Sequence, residues 1–145
     1  MAIENKKNID PTEVDKFNML AHKWWDPTSE FKPLHEINPL RVNFIKSKLS
    51  LEGKSILDVG CGGGILAEAL ALEGAIVTGI DQGDKVIKIA ELHNKESKLN
   101  INYKNMNIED FFKKNKEKYD VITCLEMLEH VPDPSSIIKT CAQLL

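Results

Sequence analysis

Ile56-Leu57-Asp58-Val59-Gly60-Cys61-Gly62-Gly63-Gly64 carries a short apolar run straight into a cluster of glycines. Such a run reads as a buried strand feeding a helix through a tight turn, with glycine required where the backbone turns sharply and approaches a ligand. Counted from Gly60, a dinucleotide fingerprint needs a third glycine where Ile65 stands, and a branched side chain there crowds the helix against the strand. A Walker loop needs Gly-Lys followed by Ser or Thr, and none follows. The turn therefore disfavours NAD, excludes a Walker loop, and leaves a ligand that need not be phosphorylated.

From Lys54 onward, short apolar runs alternate with amphipathic helices, the pattern of βαβ units and a parallel sheet. Strands are expected at residues 55–59, 76–80, 101–106 and 119–125, and helices over about 64–73, 84–98 and 108–114, with a last helix opening near Pro134. In the second of these helices Val86, Ile87, Ala90 and Leu99 fall near one side, while Lys85, Lys88, Glu91 and Lys95 can face water. The predicted fold class is α/β: a Rossmann-like doubly wound parallel sheet, truncated after the fourth strand because the chain stops at Leu145 inside a helix. Residues 51–145 make up this part. Residues 1–50 read as a helical lead-in or cap within a single domain overall. It is helical from about Pro11 through the aromatic stretch Phe17 to Trp25 and interrupted at Pro27, Pro33 and Pro39. A second helix is expected to start at Asn38-Pro39, with Leu40, Val42, Phe44, Ile45 and Leu49 as its apolar positions.

Charged residues make up 28% of the 145 and the net charge is −3, so no large positive field attracts nucleic acid or an anionic bilayer. Cys61, Cys124 and Cys141 are an odd number without CxxC spacing, and the N-terminus lacks the apolar stretch of a secretory signal, which fits a reducing cytoplasm. No run of 18 or more apolar residues is present, so any membrane contact is expected to be peripheral.

Asp81 stands 21 residues after Gly60 at the end of the second strand, near the distance at which a carboxylate meets a ribose. Two carboxylate oxygens can accept two hydroxyl donors at once; the alternative is a helix N-cap, a role for which Asp84 is better placed. After the third strand, Asn107 offers a carbonyl oxygen to an adenine amino group, or else caps a helix. Glu126, Glu129 and His130 stand at i, i+3 and i+4 in Cys124-Leu125-Glu126-Met127-Leu128-Glu129-His130-Val131-Pro132-Asp133-Pro134, so a helical turn would put their side chains on one face. Such a set suits a divalent cation that acidifies a bound catechol. Alternatively His130 takes the proton itself as a general base oriented by Glu126 or Glu129, or the segment is a solvated acidic turn. Trp24 and Trp25 read as packing residues, one of which could line an aromatic substrate's entrance.

The strand and glycine loop from Ile56 to Gly64 resemble motif I of class I methyltransferases. That resemblance implies that Asp58 and the glycine loop, Gly60 and Gly62 included, hold the methionine part of S-adenosyl-L-methionine. Trp24-Trp25-Asp26, Glu30 to His35 and Ile37 to Arg41, with the segment 124–134, are similar to the O-methyltransferases of ubiquinone biosynthesis, and the similarity covers nearly the whole chain. It implies methyl transfer to a hydroxyl of a polyprenylated phenol, such as 2-polyprenyl-6-hydroxyphenol or 3-demethylubiquinol. It further implies Arg41 on the cofactor carboxylate, Asp81 and Gly60 in contact with the cofactor, and Leu125 bordering the adenosine where the family often has methionine. Asn107 stands where the family has Asp beside the adenine, and Glu126, Glu129 and His130 would hold a divalent cation such as magnesium. A cytoplasmic protein peripheral at the inner membrane through a region beyond Leu145, and association with other enzymes of the ubiquinone pathway, belong to the same expectation. An O-methyltransferase of another small phenol and a non-catalytic cofactor-binding fragment are the rival readings.

Overall fold

A computed structural model describes residues 7–145. β1 (Ser55–Val59) lies between β2 (Ile76–Asp81) and β4 (Val121–Thr123), with β3 (Asn102–Asn105) outside β2, giving a parallel sheet of order β3-β2-β1-β4. The chain reverses its direction of winding at β1, so a crevice opens beyond the carboxyl ends of β1 and β4.

Residues of β1 alternate between two cores because successive side chains point to opposite faces. Ile56 joins Leu66, Ala67 and Leu70 of α3 (Ile65–Leu72) and Ile87 and Ala90 of α4 (Asp84–Glu96) on one face. Leu57 and Val59 join Phe111 of α5 (Ile108–Lys114) and Ile137 of α6 (Pro134–Gln143) on the other. The outer strands are shorter than the sequence suggests because the backbone at their ends is taken by other partners. Asn94 both donates to and accepts from the backbone of Ile101, and the Tyr119 N–H donates to the Leu144 carbonyl rather than to a strand.

The lead-in contains α1 (Pro11–Leu20), a 3₁₀ turn at Ala21–Lys23 and α2 (Lys32–Lys48). The second helix therefore begins well before Asn38-Pro39, which corrects the sequence expectation. Pro33 occupies the first turn, where a missing N–H costs nothing. Pro39 lies inside the helix and forgoes one backbone bond there, at a cost of about 3 kcal/mol that packing against α3 must offset. Val42 is buried on that side, whereas Leu40 and Phe44, expected to be apolar contacts, are exposed. Asn18 of α1 ties the lead-in to the sheet domain: its side-chain oxygen accepts the Lys85 N–H at 3.2 Å, capping a helix whose own N-cap, Gly83, has no side chain. Among the described residues, no helix is long and apolar enough to cross a membrane.

Ile56 is fully buried and Ile76 is exposed in the neighbouring strand. Urea unfolding is expected to show Ile56→Ala destabilising the protein by about 2–5 kcal/mol and Ile76→Ala staying within about 0.5 kcal/mol of wild type.

Candidate functional site

The loop after β1 turns with Gly60 at φ +73° and Gly62 at φ +55°, a region favourable only to glycine. The N–H groups of Gly60 and Cys61 both donate to the Ile80 carbonyl, at 2.8 and 3.0 Å. Asp81, one residue further on, accepts from the Gly62 N–H at 3.0 Å and from the Gly83 N–H at 2.9 Å. A single carboxylate thus fixes the glycine loop and the entry to α4, and each of its oxygens retains a second lone pair for a ligand.

The lead-in closes over this loop. A side chain at Gly62 or Gly63 would come within 2.4 Å of the Trp24 ring, so the indole can lie on the loop only because no Cβ is present. Trp24 stacks on Phe31 with ring centroids 4.1 Å apart. Trp25 donates its indole N–H to the Gly63 carbonyl at 2.8 Å and stacks on His93 of α4.

Between lead-in, glycine loop and the ends of β1, β2 and β4 lies a cavity of about 360 Å³. Arg41, Asp58, Gly60, Gly62, Asp81, Asn107, Leu125, Glu126 and His130 all line it; Glu129 alone of the sequence candidates lies off its wall. Asn107 caps α5, accepting the Asp110 N–H at 2.7 Å, while also facing the cavity. The acidic segment does not form the helical turn that would have gathered its side chains. Glu126 adopts φ +54° and a 3₁₀ turn spans only Leu128–His130. Glu126 is paired with Arg41, and His130 Nε2 stands 3.8 Å from Glu129. Among the described residues no group of three or more His, Cys, Asp or Glu converges as a metal site, so this arrangement does not fit a cation.

Three wall residues escaped the sequence reading. Glu13 and Phe17 stand four apart on α1 and both reach His130: Glu13 Oε2 lies 3.0 Å from Nδ1, and Phe17 packs edge-on against the imidazole with centroids 5.1 Å apart. Their helical spacing is the only signal the sequence held. Gln82 follows Asp81 in the wall and keeps a buried amide nitrogen without a protein partner.

Burial pushes the Asp58 carboxyl up to about 7, opposed by the 2.8 Å hydrogen bond it accepts from the Thr123 hydroxyl and reinforced by the nearby Asp81 charge. Asp81 is also raised, by burial, with the backbone N–H groups of Gly83, Gly62 and Gln82 pulling the other way.

The family model described as a methyltransferase domain matches residues 34–145. The ubiquinone biosynthesis O-methyltransferase of Pseudomonas savastanoi pv. phaseolicola is 57% identical over 138 residues, covering 95% of this chain and 60% of its own length. That of Marinobacter nauticus is 55% identical over 143 residues, covering 97% and 60%. The chain thus spans about three fifths of the curated relatives it matches. Magnesium protoporphyrin IX methyltransferase from Synechocystis PCC 6803, solved with bound SAM, is 24% identical with a TM-score of 0.76 over 90% of this chain and 69% of that one, a likeness of fold.

Asp58 gives the cavity a pH signature. Below the ordinary carboxylate range both folded and unfolded chains hold its proton. As pH rises from about 4 towards 7 the unfolded chain ionises first, so this residue's contribution to stability falls, and it levels off above the folded value. Asp58→Asn removes that dependence. The difference in urea unfolding free energy between wild type and Asp58→Asn is expected to change by on the order of 4 kcal/mol between pH 4 and 8; parallel pH profiles would contradict it.

Proposed function

Because the chain belongs to the methyltransferase-domain family, we propose that it forms the S-adenosylmethionine-binding part of an O-methyltransferase acting on the hydroxyl of a polyprenylated catechol or phenol of ubiquinone biosynthesis. The carrying observation is the charge of the cavity wall. Glu13, Glu30, Asp58, Asp81 and Glu126 line it against a single arginine, Arg41. Such a wall favours a ligand of net positive charge that also offers one carboxylate. S-adenosylmethionine has that form: a sulfonium, an ammonium and a carboxylate. The glycine loop lets the ligand approach the backbone, Asp81 lies beside it with spare acceptor capacity for ribose hydroxyls, and Gln82 holds an unused amide nitrogen. The substrate class is supported by the similarity to curated ubiquinone biosynthesis O-methyltransferases.

The sulfonium supplies an activated methyl group and a good leaving group. What remains for the protein is to align the acceptor oxygen with the methyl and remove its proton. In this reading His130 accepts the hydroxyl proton at Nε2, while Glu13 accepts the Nδ1–H and fixes the ring. Glu13 thus takes the orienting role that the sequence suggested for Glu126 or Glu129. No step runs through a cation; Glu126, Glu129 and His130 would hold magnesium only after Glu126 had left Arg41. Contact with the inner membrane and with other enzymes of the pathway belongs to the whole protein and is proposed on the same similarity.

Calorimetric titration of the folded chain with S-adenosylhomocysteine tests the cofactor reading. Saturable binding is expected, weakened about tenfold or more in Asp81→Ala, which loses ligand contacts and the anchor of the glycine loop. A folded chain that gives no heat and no thermal stabilisation would contradict it. In a full-length protein carrying this sequence, mass spectrometry should then detect transfer of one methyl group to a polyprenyl catechol.

A further inference from the structure

Among the described residues Arg41 is the one lysine or arginine in the cavity wall, and its guanidinium is occupied: Nη2 is held by Oε1 of Glu126. The two side chains differ in setting, Arg41 being 19% exposed and Glu126 52%. Glu126 reaches the arginine from a left-handed backbone conformation, φ +54°, which a side chain with a Cβ adopts only at a cost. Half in water, the pair itself is weak. It is therefore a contact that forms when nothing better is available and opens readily when something is. A ligand carboxylate is the better partner: it exchanges one charge-assisted bond for another on the same guanidinium and frees Glu126 from a strained position.

We propose that Glu126 is an internal occupant of the carboxylate seat on Arg41, displaced when the cofactor's own carboxylate arrives. This rests on the S-adenosylmethionine reading. Two consequences follow from the geometry. Glu126 competes with any ligand that carries a carboxylate and is indifferent to one that lacks it. Cofactor entry also releases Glu126 at the edge shared with His130, so the acceptor end of the cavity takes its working arrangement after the cofactor has bound.

The test compares S-adenosylhomocysteine with 5′-methylthioadenosine, which keeps the adenosine and thioether and lacks the carboxylate, by calorimetry on wild type, Glu126→Gln, Glu126→Gly and Arg41→Gln. Glu126→Gln is expected to tighten S-adenosylhomocysteine binding about three- to tenfold and leave methylthioadenosine unchanged. Glu126→Gly, which suits the left-handed backbone and guards against a folding defect, should do the same with an equal or higher Tm. In the Arg41→Gln background, adding Glu126→Gln should have no effect on either ligand. Unchanged or weaker S-adenosylhomocysteine binding in both Glu126 variants, or equal gains for both ligands, overturns the inference while leaving the cofactor site standing. If wild type binds neither compound, the cofactor reading fails and this inference fails with it.

Discussion

The indole of Trp24 rests against backbone at Gly62 and Gly63 where any Cβ would overlap it, and the placement of the cavity depends on that contact. Seating Trp24 draws Phe31 and the start of α2 over the loop, while Asn38, further along α2, donates to the Ile65 carbonyl at 3.3 Å. Arg41 follows within one turn. The glycines therefore serve two masters: they let the loop turn and admit a ligand on one side, and they let the lead-in close on the other. A methyl group at either position would separate the lead-in from the sheet and, with it, Arg41 from the carboxylates across the cavity.

Those carboxylates set the electrostatics of the site. Asp58 is buried at the end of β1, opposite Thr123 in the register, and Asp81 ends the neighbouring strand. Burial disfavours the charged form of both, so a cationic ligand that stabilises the ionised carboxylates lowers their pKa values as it binds, and its affinity rises with pH as their protons leave. Arg41 relieves part of that charge, and Glu126 in turn relieves Arg41. The ligand-free site is balanced by its own side chains, and a zwitterionic ligand must replace part of that balance.

The central strands are legible because short apolar runs, β-branched content and the glycine turn agree with one another from Ser55 to Asp81. The outer strands were overread: Ile101 and Tyr119 look like strand residues, but Asn94 and the Leu144 carbonyl claim their backbone groups, and no local pattern signals a partner distant in sequence. The start of α2 was misplaced because Pro39 reads as a first-turn proline, and only tertiary packing explains a proline inside the helix. Around the cavity, Asp81 follows from its spacing to Gly60, while Asp58, Leu125 and Arg41 follow from the family resemblance, and all four line the wall. Glu13 and Phe17 were not, since α1 reaches His130 across a separation of more than a hundred residues. Segment 124–134 reads as a helical turn, but only Leu128–His130 forms a 3₁₀ turn, and Glu126 stands at φ +54° paired with Arg41, a partner 85 residues away that no local pattern signals.

The most direct measurement is an amide NMR titration of the isotopically labelled chain with S-adenosylhomocysteine. If the cavity beyond β1 and β2 is the cofactor site, the amides of Gly60, Gly62, Asp81, Gln82 and Gly83 shift together along one saturating isotherm, and the Arg41 side-chain resonance moves with them. Shifts confined to another surface, such as the depression bordered by Asn8, Asp133 and Ser136, would contradict the assignment.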